Sequence, residues 1–558
     1  MPSALPPNRM TIKIHFNGRS VAVESDSDRS VLELARKAGW HIDAKCGGRG
    51  SCASCNVLLG EGRYRVFDEE IEVLPEQRRE VLSCQTKVLS ENAEFFIPRS
   101  SVISFDGARI ADEMEIPEHA FNPRFKVGCG VAVDVGTTTV VAALLDLKTG
   151  KVLSRESLYN QQILKADDVV SRISLCNTEG QLEALQELVI GHTLNPLIHK
   201  LCAGTGTAPE EIVHLAVSGN TVMMHIFFGV SPVSIGTIPF KPVSHFFKST
   251  ATELGIDINP GALVEDVPAI SGYVGGDITS DLYASNLWKN SGLTVLIDIG
   301  TNGEMAACLD GKISACATAA GPAFEGAGLL HGARAASRAI DTIKYDANLD
   351  FELTVIGEPN PMGLCGSAII DFIADGFRCK LINMMGRYDV EMLRKNFRYE
   401  SVCNMHACML VAPELSATGE SITITEGDIA EILKAKAAIY GGLKSLLAEL
   451  GKTVQEIDHI VLAGGFAKHI NLENAICIGL LPDIGTEKYE VIGNGSLAGA
   501  ALALLDQSTE QAYLELIKKP EIVTLNQTDH FTNHFQEALA IPNLEEDDFP
   551  SMGTDKAE

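Results

Sequence analysis

The stretch VAVDVGTTTVVAALLD (residues 131–146) returns 164 residues later as VLIDIGTNGEMAACLD (295–310). Aligned without a gap, 8 of the 16 positions are identical, among them Asp134/Asp298, Gly136/Gly300 and Thr137/Thr301. An internal repeat of this kind marks two related lobes, each built on the same unit. Each copy reads as an apolar strand, a glycine turn and a second strand. No helix follows the glycine, which separates the unit from a P-loop or a dinucleotide fingerprint. A chain turning at Gly136 brings backbone N–H groups close to a phosphate, and Thr137, Thr138 and Thr139 add hydroxyl donors. Asp134, at the end of its strand, is placed to hold Mg²⁺ directly or through water. Asp298, Gly300, Thr301, Asn302 and Gly303 are expected to do the same work from the facing lobe. One Asp-x-Gly-Thr is weak evidence, because many strands end that way. Two in register point to a two-lobed phosphate-binding α/β fold.

Other glycine motifs extend the pattern. IVLAGGF (460–466) is a buried-strand run ending in Gly464-Gly465, small enough for a purine to lie against the backbone, followed by Phe466. GLCGS (363–367) and GNGSLAG (493–499) each open an expected helix, which suits either phosphate binding or tight interhelical packing. Glu304, Glu325 and His331 lie close enough to the second turn in sequence to reach a γ-phosphate or its water. Met223, Met224 and His225 read as core filling at a helix start.

Upstream, Thr11–Phe16 and Ser20–Val23 alternate apolar and polar residues around Asn17-Gly18, a hairpin signal. Ser30 then caps a helix carrying Val31, Leu32, Leu34 and Ala35. Next comes CGGRGSCASC, giving the spacing Cys46-x5-Cys52-x2-Cys55-x28-Cys84. Three thiolates from one tight loop and a fourth from a distant segment is the plant-type [2Fe–2S] arrangement, here with a first gap one residue longer than the usual four. Gly47, Gly48 and Gly50 let that loop wrap closely and turn amides toward sulfur. A zinc ribbon would supply two CxxC-like pairs, and there is one. Cys403 and Cys408 have no such neighbours and read as ordinary thiols.

Composition bounds the rest. The 558 residues imply several domains, and 46% apolar content leaves ample core. The formal charge of −28 argues against a nucleic-acid or anionic-membrane partner. No apolar run is long enough to span a bilayer and Met1 to Pro7 carries no secretory pattern, so a cytoplasmic protein with reduced cysteines is expected. Residues 1–99 hold fourteen basic and fourteen acidic side chains, so the excess acidity lies downstream. These shifts divide the chain into a cluster module at 10–97, a linker at 98–126, lobes at 127–285 and 286–525, and an acidic, disordered tail at 526–558.

The N-terminal segment resembles the plant- and adrenodoxin-type ferredoxins, which implies a β-grasp domain whose [2Fe–2S] ligands are Cys46, Cys52, Cys55 and Cys84. DVGTTT, DIGTNGE, LAGGF and the connecting GGDITSD (275–281) resemble the phosphate-1, phosphate-2, adenosine and connector motifs of the acetate and sugar kinase, Hsp70 and actin superfamily. That likeness implies a two-lobed actin-like (RNase H-like) ATPase binding ATP and Mg²⁺, with Asp134, Asp298 and Glu304 as its catalytic acids. The fusion of the two is similar to the reductive activators of corrinoid enzymes. It implies ATP-dependent reduction of Co(II) to Co(I) on the corrinoid protein of a methyltransferase, fed by an upstream low-potential donor, from a homodimer joined through the ATPase part. The chain contains no D-x-H-x-x-G, the signature of a base-off cobalamin loop, so the cobalt would come from the partner. Two other classes stay open: a small-molecule kinase with a regulatory cluster, and a nucleotide-binding electron-carrier scaffold.

Overall fold

The computed structural model describes residues 10–16, 19–25, 29–40, 42, 55–98, 114–166, 168–326, 328–402, 405–528 and 530–552. The chain clusters into two compact units, a smaller one formed mainly by the segment up to Asp106 and a larger one formed by most of the remainder.

In the smaller unit, Met10–Phe16 pairs antiparallel with Arg19–Ser25 and parallel with Glu94–Phe96. Asn56–Leu59 and Arg79–Leu82 complete a five-stranded sheet. The helix Val31–Lys37 starts at a capping box, in which Ser30 accepts from Glu33 N–H while the Glu33 carboxylate accepts from Ser30 N–H. Its buried Val31, Leu32, Leu34 and Ala35 share a core with Ile12, Ile14, Val57 and Phe95. This is the expected β-grasp arrangement. The Asn17-Gly18 turn lies outside the described residues.

The larger unit contains two six-stranded sheets that share the order of five strands and add the sixth at opposite edges. In the first, Cys129–Val135 lies antiparallel to Thr139–Asp146 and parallel to Ile212–Ser218. In the second, Leu293–Ile299 lies antiparallel to Gly303–Leu309 and parallel to His459–Ala463. The first strands of the two lobes coincide at the 164-residue offset, but the turns differ. Val135 pairs with Val140, whereas Ile299 pairs with Gly303, so the second turn is one residue shorter. A one-residue slip exchanges the faces of a strand. It puts Glu304 directly opposite Asp298, where the first lobe has Val141 opposite Asp134.

Packing crosses the expected divisions in three places. The helix Gly495–Leu505, assigned by sequence to the second lobe, buries Leu497, Ala501 and Leu504 against Ala132, Ala143 and Leu145 of the first sheet. It also packs on the helix Gly276–Ser285, where a Cβ on Gly499 would meet Ser280 Cβ at 2.3 Å. Within the expected linker, the described residues from Met114 onward are packed, with Asn122 N–H bonded to the Leu505 carbonyl and Met114 buried.

The acidic end folds back instead of being disordered. Phe531–Glu537 is a helix lying on Glu426–Glu449, and Gly441 admits its backbone at Phe535. Lys436, buried in the long helix, donates to the carbonyls of Ala540 and Pro542 at 2.5 and 2.6 Å. Lys444 pairs with Glu545 and, at 2.8 Å, with Asp548, while Phe549 packs on Tyr440. Composition weighed the acids but not the few apolar residues, Ala538, Ala540, Ile541 and Phe549, that anchor them. Residues 553–558 lie outside the described residues.

Candidate functional site

A cleft of about 270 Å³ lies in the larger unit, lined from both sheets. Asp134, Gly136, Thr137, Thr138 and Thr139 reach it from one side and Asp298, Gly300, Thr301, Asn302 and Glu304 from the other. Gly464, Gly465 and Phe466 line it too. Gly303 does not line it. A Cβ there would stand 2.8 Å from Ile439 Cγ1, so this glycine serves helix-on-sheet packing.

The first turn is held by its carbonyls. Gly136 C=O accepts from Asn160 Nδ2 at 2.9 Å, Thr137 C=O from Arg172 Nη2 at 2.5 Å, and Thr138 C=O from Asn160 N–H at 2.9 Å. Gly136 N–H closes on the Thr139 carbonyl at 2.9 Å. Peptide carbonyls and the following N–H groups point in opposite directions, so carbonyls tied back into the fold leave the Thr137 and Thr138 amides to face an anion. The two turns approach each other, with Thr138 and Thr301 hydroxyls 3.4 Å apart. Thr301 also donates to Glu325 Oε1 at 2.6 Å.

Between the turns sits a group of acids. Asp134 accepts from Asn494 Nδ2 and Ser496 Oγ at 2.9 and 2.8 Å, yet burial still raises its carboxyl above the usual range. Burial, then the charge of Asp134, pushes Asp277 up to about 7. Asp298 is pushed up to about 8 by burial and by Asp277 and Asp134. Burial drives Asp281 and Glu304 well above ordinary values, reinforced by the same neighbours. Both carboxyl oxygens of Asp281 are buried without a hydrogen-bond partner among the described residues. Buried polar oxygens left unpaired are costly, and a cation would satisfy them. Among the described residues no three His, Cys, Asp or Glu side chains converge tightly enough to hold a metal by themselves. A cation here would have to complete its shell with water and phosphate oxygens, as Mg²⁺ does when it binds one or two carboxylates.

Two further lining residues, Phe324 and Phe466, stack their rings at 5.3 Å and 24°. Gly464, at φ +92°, runs against Asp298, whose Oδ1 would lie 2.5 Å from a Cβ there. Gly366 and Ser367 of GLCGS line the cleft as well, and a Cβ on Gly366 would strike the Phe324 carbonyl at 2.0 Å. Of the glycine-led helices, the second packs on its neighbour through Gly499, while its first residues, with Asn494 before them, line the cleft at Asn494, Gly495 and Ser496. Glu325 lines it, His331 does not, and Met223, Met224 and His225 are buried core. Asn220, Asp277, Asp281, Arg334 and Asp341 also line the cleft and were not singled out as site residues by sequence. The connector motif carried the signal for two of them, since Asp277 and Asp281 stand one helical turn apart on Gly276–Ser285.

In the smaller unit, Cys55 Sγ and Cys84 Sγ are 3.3 Å apart, close to the separation of roughly 3.7 Å that two thiolates reach on one tetrahedral metal with 2.3 Å bonds. The strand pairing Asn56↔Leu82 and the Ser83 N–H to Cys55 C=O bond (2.9 Å) bring them together. Gln85 Nε2 lies 3.5 Å from Cys84 Sγ as a donor to sulfur. Two converging sulfurs with an amide donor fit an iron–sulfur group. Cys46 and Cys52 lie outside the described residues, as does Cys403, while Cys408 is buried.

Residues 14–89 match the 2Fe-2S iron-sulfur cluster binding domain, 129–290 the RACo middle region, and 292–553 the C-terminal domain of RACo, the ASKHA domain. Over 398 residues the chain is 35% identical to the corrinoid activation enzyme RamQ of Eubacterium limosum, covering 69% of this chain and 66% of that one. It therefore spans just under two thirds of that relative's length. It is 24% identical over 415 residues to the [Co(II) methylated amine-specific corrinoid protein] reductase of Methanosarcina barkeri, 70% of this chain and 72% of the other. A solved structure of a reductive activator for corrinoid, iron-sulfur protein superimposes with a TM-score of 0.72 at 30% identity, covering 97% of this chain and all of that one. With a ferredoxin-type unit, a duplicated actin-like ATPase unit and this likeness across nearly its whole length, the chain belongs to the RACo family of corrinoid reductive activators.

Proposed function

We propose that this protein is an ATP-dependent reductive activator that passes one electron from a [2Fe–2S] cluster to the Co(II) corrinoid of a methyltransferase corrinoid protein, returning Co(I). The observation that carries the reading is a duplicated phosphate turn facing an acid-lined cleft, in a chain whose other unit sets Cys55 against Cys84. Cys46, Cys52, Cys55 and Cys84 would hold the cluster, which supplies one-electron chemistry at low potential.

Within the cleft, the Thr137 and Thr138 amides and the Thr301 hydroxyl would hold phosphate oxygens. Gly464, Gly465 and Phe466 would take the adenosine. Asp134, Asp281 and Asp298 would hold Mg²⁺, which offsets the charge that the acids and the phosphates bring together. Glu304, whose carboxyl burial holds well above the usual range, suits hydrogen-bond donation or proton transfer to a water near the γ-phosphate.

ATP reduces nothing. Moving an electron uphill costs about 2.3 kcal/mol per 100 mV, and a nucleotide can offset that only by favouring a conformation whose contacts differ in the two redox states. A cleft between two lobes is a suitable bistable element. A low-potential protein donor upstream and pairing of two copies through the larger unit belong to the same proposal. Among the described residues no helix is long and apolar enough to cross a membrane.

The test is to mix the reduced full-length protein with a Co(II) corrinoid protein and follow the cobalt spectrum with ATP, with a non-hydrolysable analogue and without nucleotide. Co(I) formation that requires hydrolysable ATP supports the reading. Co(I) formation independent of nucleotide, or none under any condition, overturns it.

A further inference from the structure

The cleft carries an imbalance of charge. The five acids between the turns are joined on its walls by Glu325 and Asp341. Among the described lining residues, a single Lys or Arg side chain, Arg334, stands against them, with His469 as the one lining histidine. A nucleotide triphosphate adds further negative charge, and amides and hydroxyls contribute only partial charges against it.

Arg334 is held in an unusual way for a cation so near carboxylates. Its guanidinium carbon lies 4.6 Å from the centroid of the Tyr159 ring, and no carboxylate among the described residues pairs with it. Arg338, four residues on, pairs with Glu358. A guanidinium stacked by its face keeps its N–H groups in the plane of the fork, free to meet oxygens edge-on. Tyr159 ends the strand Val152–Tyr159 of the first lobe, while Arg334 follows the turn Pro322–Glu325 of the second. The contact thus bridges the two walls.

We propose that Arg334 is the phosphate-binding residue that distinguishes nucleoside tri- and diphosphates from the bare nucleoside, with Tyr159 as the platform that aims it. Its fork donates to phosphate oxygens, and the ring of one lobe sets the cation that the other lobe supplies. Phosphate occupancy is thereby tied to the relative placement of the lobes. This inference rests on the nucleotide reading of the cleft.

The experiment is calorimetric titration of the full-length protein with adenosine, AMP, ADP and ATP in the presence of Mg²⁺. It compares the natural chain with Arg334→Gln, Arg334→Lys and Tyr159→Leu. Losing a charge-assisted phosphate contact predicts that Arg334→Gln weakens ATP roughly tenfold or more while adenosine stays within about twofold. Arg334→Lys should recover part of the loss, and Tyr159→Leu should weaken ATP but not adenosine. Retained adenosine binding also shows that each variant is folded. Equal losses for adenosine and ATP, or unchanged ATP affinity, would overturn the role of Arg334. Failure of the natural chain to bind any of the four ligands would instead overturn the nucleotide reading beneath it.

Discussion

The guanidinium of the fully buried Arg172 donates through Nη2 to the carbonyl of Thr137 at 2.5 Å, so a charge outside the cleft fixes the turn that lines it. Nη1 of the same side chain reaches Gln162 Oε1 at 2.8 Å and Met223 Sδ at 3.0 Å, and Nε reaches the Ala166 carbonyl at 3.1 Å. Three segments of the first lobe are thereby referred to one planar group. With the Thr137 carbonyl turned toward Arg172, the N–H of Thr138 is turned the other way. The positive charge also polarises that peptide in the sense an anion prefers.

Replacing Arg172 by Met should accordingly cost about 3 kcal/mol or more of stability, because Thr137 C=O and Gln162 Oε1 lose a charged donor in a buried setting. The effect on ligands should be graded. ATP should weaken more than adenosine, since it is the phosphate turn that loosens. Denaturant unfolding and calorimetry on the same variant check both parts, and equal stability to the natural chain would sink the argument.

The Phe324–Phe466 stack predicts the opposite grading. Phe466→Ala removes an aromatic face from the cleft wall next to Gly464 and Gly465, whose lack of side chains leaves room for a flat ring. Stacking on a base contributes roughly 1–3 kcal/mol, so adenosine, ADP and ATP should all weaken by a similar factor. A loss confined to the phosphorylated ligands would place the base elsewhere.

Much of this architecture was legible before any coordinates because it rests on local rules. Asp-x-Gly-Thr at the end of an apolar strand, repeated 164 residues on, locates both turns, and Ser30 locates a helix start. What sequence could not show is whatever depends on residues brought together from afar. Asn494 and Ser496 bond to Asp134 across some 360 positions, and Arg172 reaches Thr137 from a helix with no motif of its own. The gapless alignment also hid a shorter second turn. That turn sets Glu304 opposite Asp298 and leaves Gly303 under Ile439. Charge counting misjudged the tail, since Lys436 and Lys444, the groups that hold it, lie about a hundred residues upstream.

The cluster assignment predicts a clean separation of functions. Cys84→Ser and Cys55→Ser should each abolish the visible absorption of a reconstituted [2Fe–2S] centre, because a hydroxyl is a poor substitute for thiolate on iron. Nucleotide affinity should be unchanged, since the cleft is built wholly within the larger unit. Absorbance and calorimetry on one preparation test this. An intact chromophore in either variant would remove that cysteine from the ligand set.

The tail should behave as part of the fold. Truncation after residue 528 removes the carbonyls of Ala540 and Pro542 that satisfy buried Lys436, and the carboxylates that pair with Lys444. Burial already holds the Lys436 ammonium well below its usual range, and without acceptors the charged form has no compensation. The truncated chain should lose several kcal/mol, about the cost of an uncompensated buried charge, and Lys436→Met should restore part of it. An unchanged melting temperature on truncation would show the tail to be dispensable.

The carboxyls of Asp277 and Asp298 give the nucleotide-free protein a definite pH response. Their native values of about 7 and about 8 lie above the value near 3.9 expected for the unfolded chain. Between those limits the native state binds more protons than the unfolded state, so the stability these groups contribute falls as pH rises from about 4 and levels off above about 8. Mg²⁺ with nucleotide reverses the preference by favouring the ionised acids, and its binding should release protons near pH 7. Titration in two buffers of different ionisation enthalpy measures that release, and melting temperatures from pH 5 to 9 measure the decline. Asp298→Asn removes one of the two groups and should flatten the upper part of the curve in the empty protein. If the natural chain instead grew more stable from pH 5 to 8 without ligand, the acids would already be ionised and paired in the native state, and the cation would have no such role.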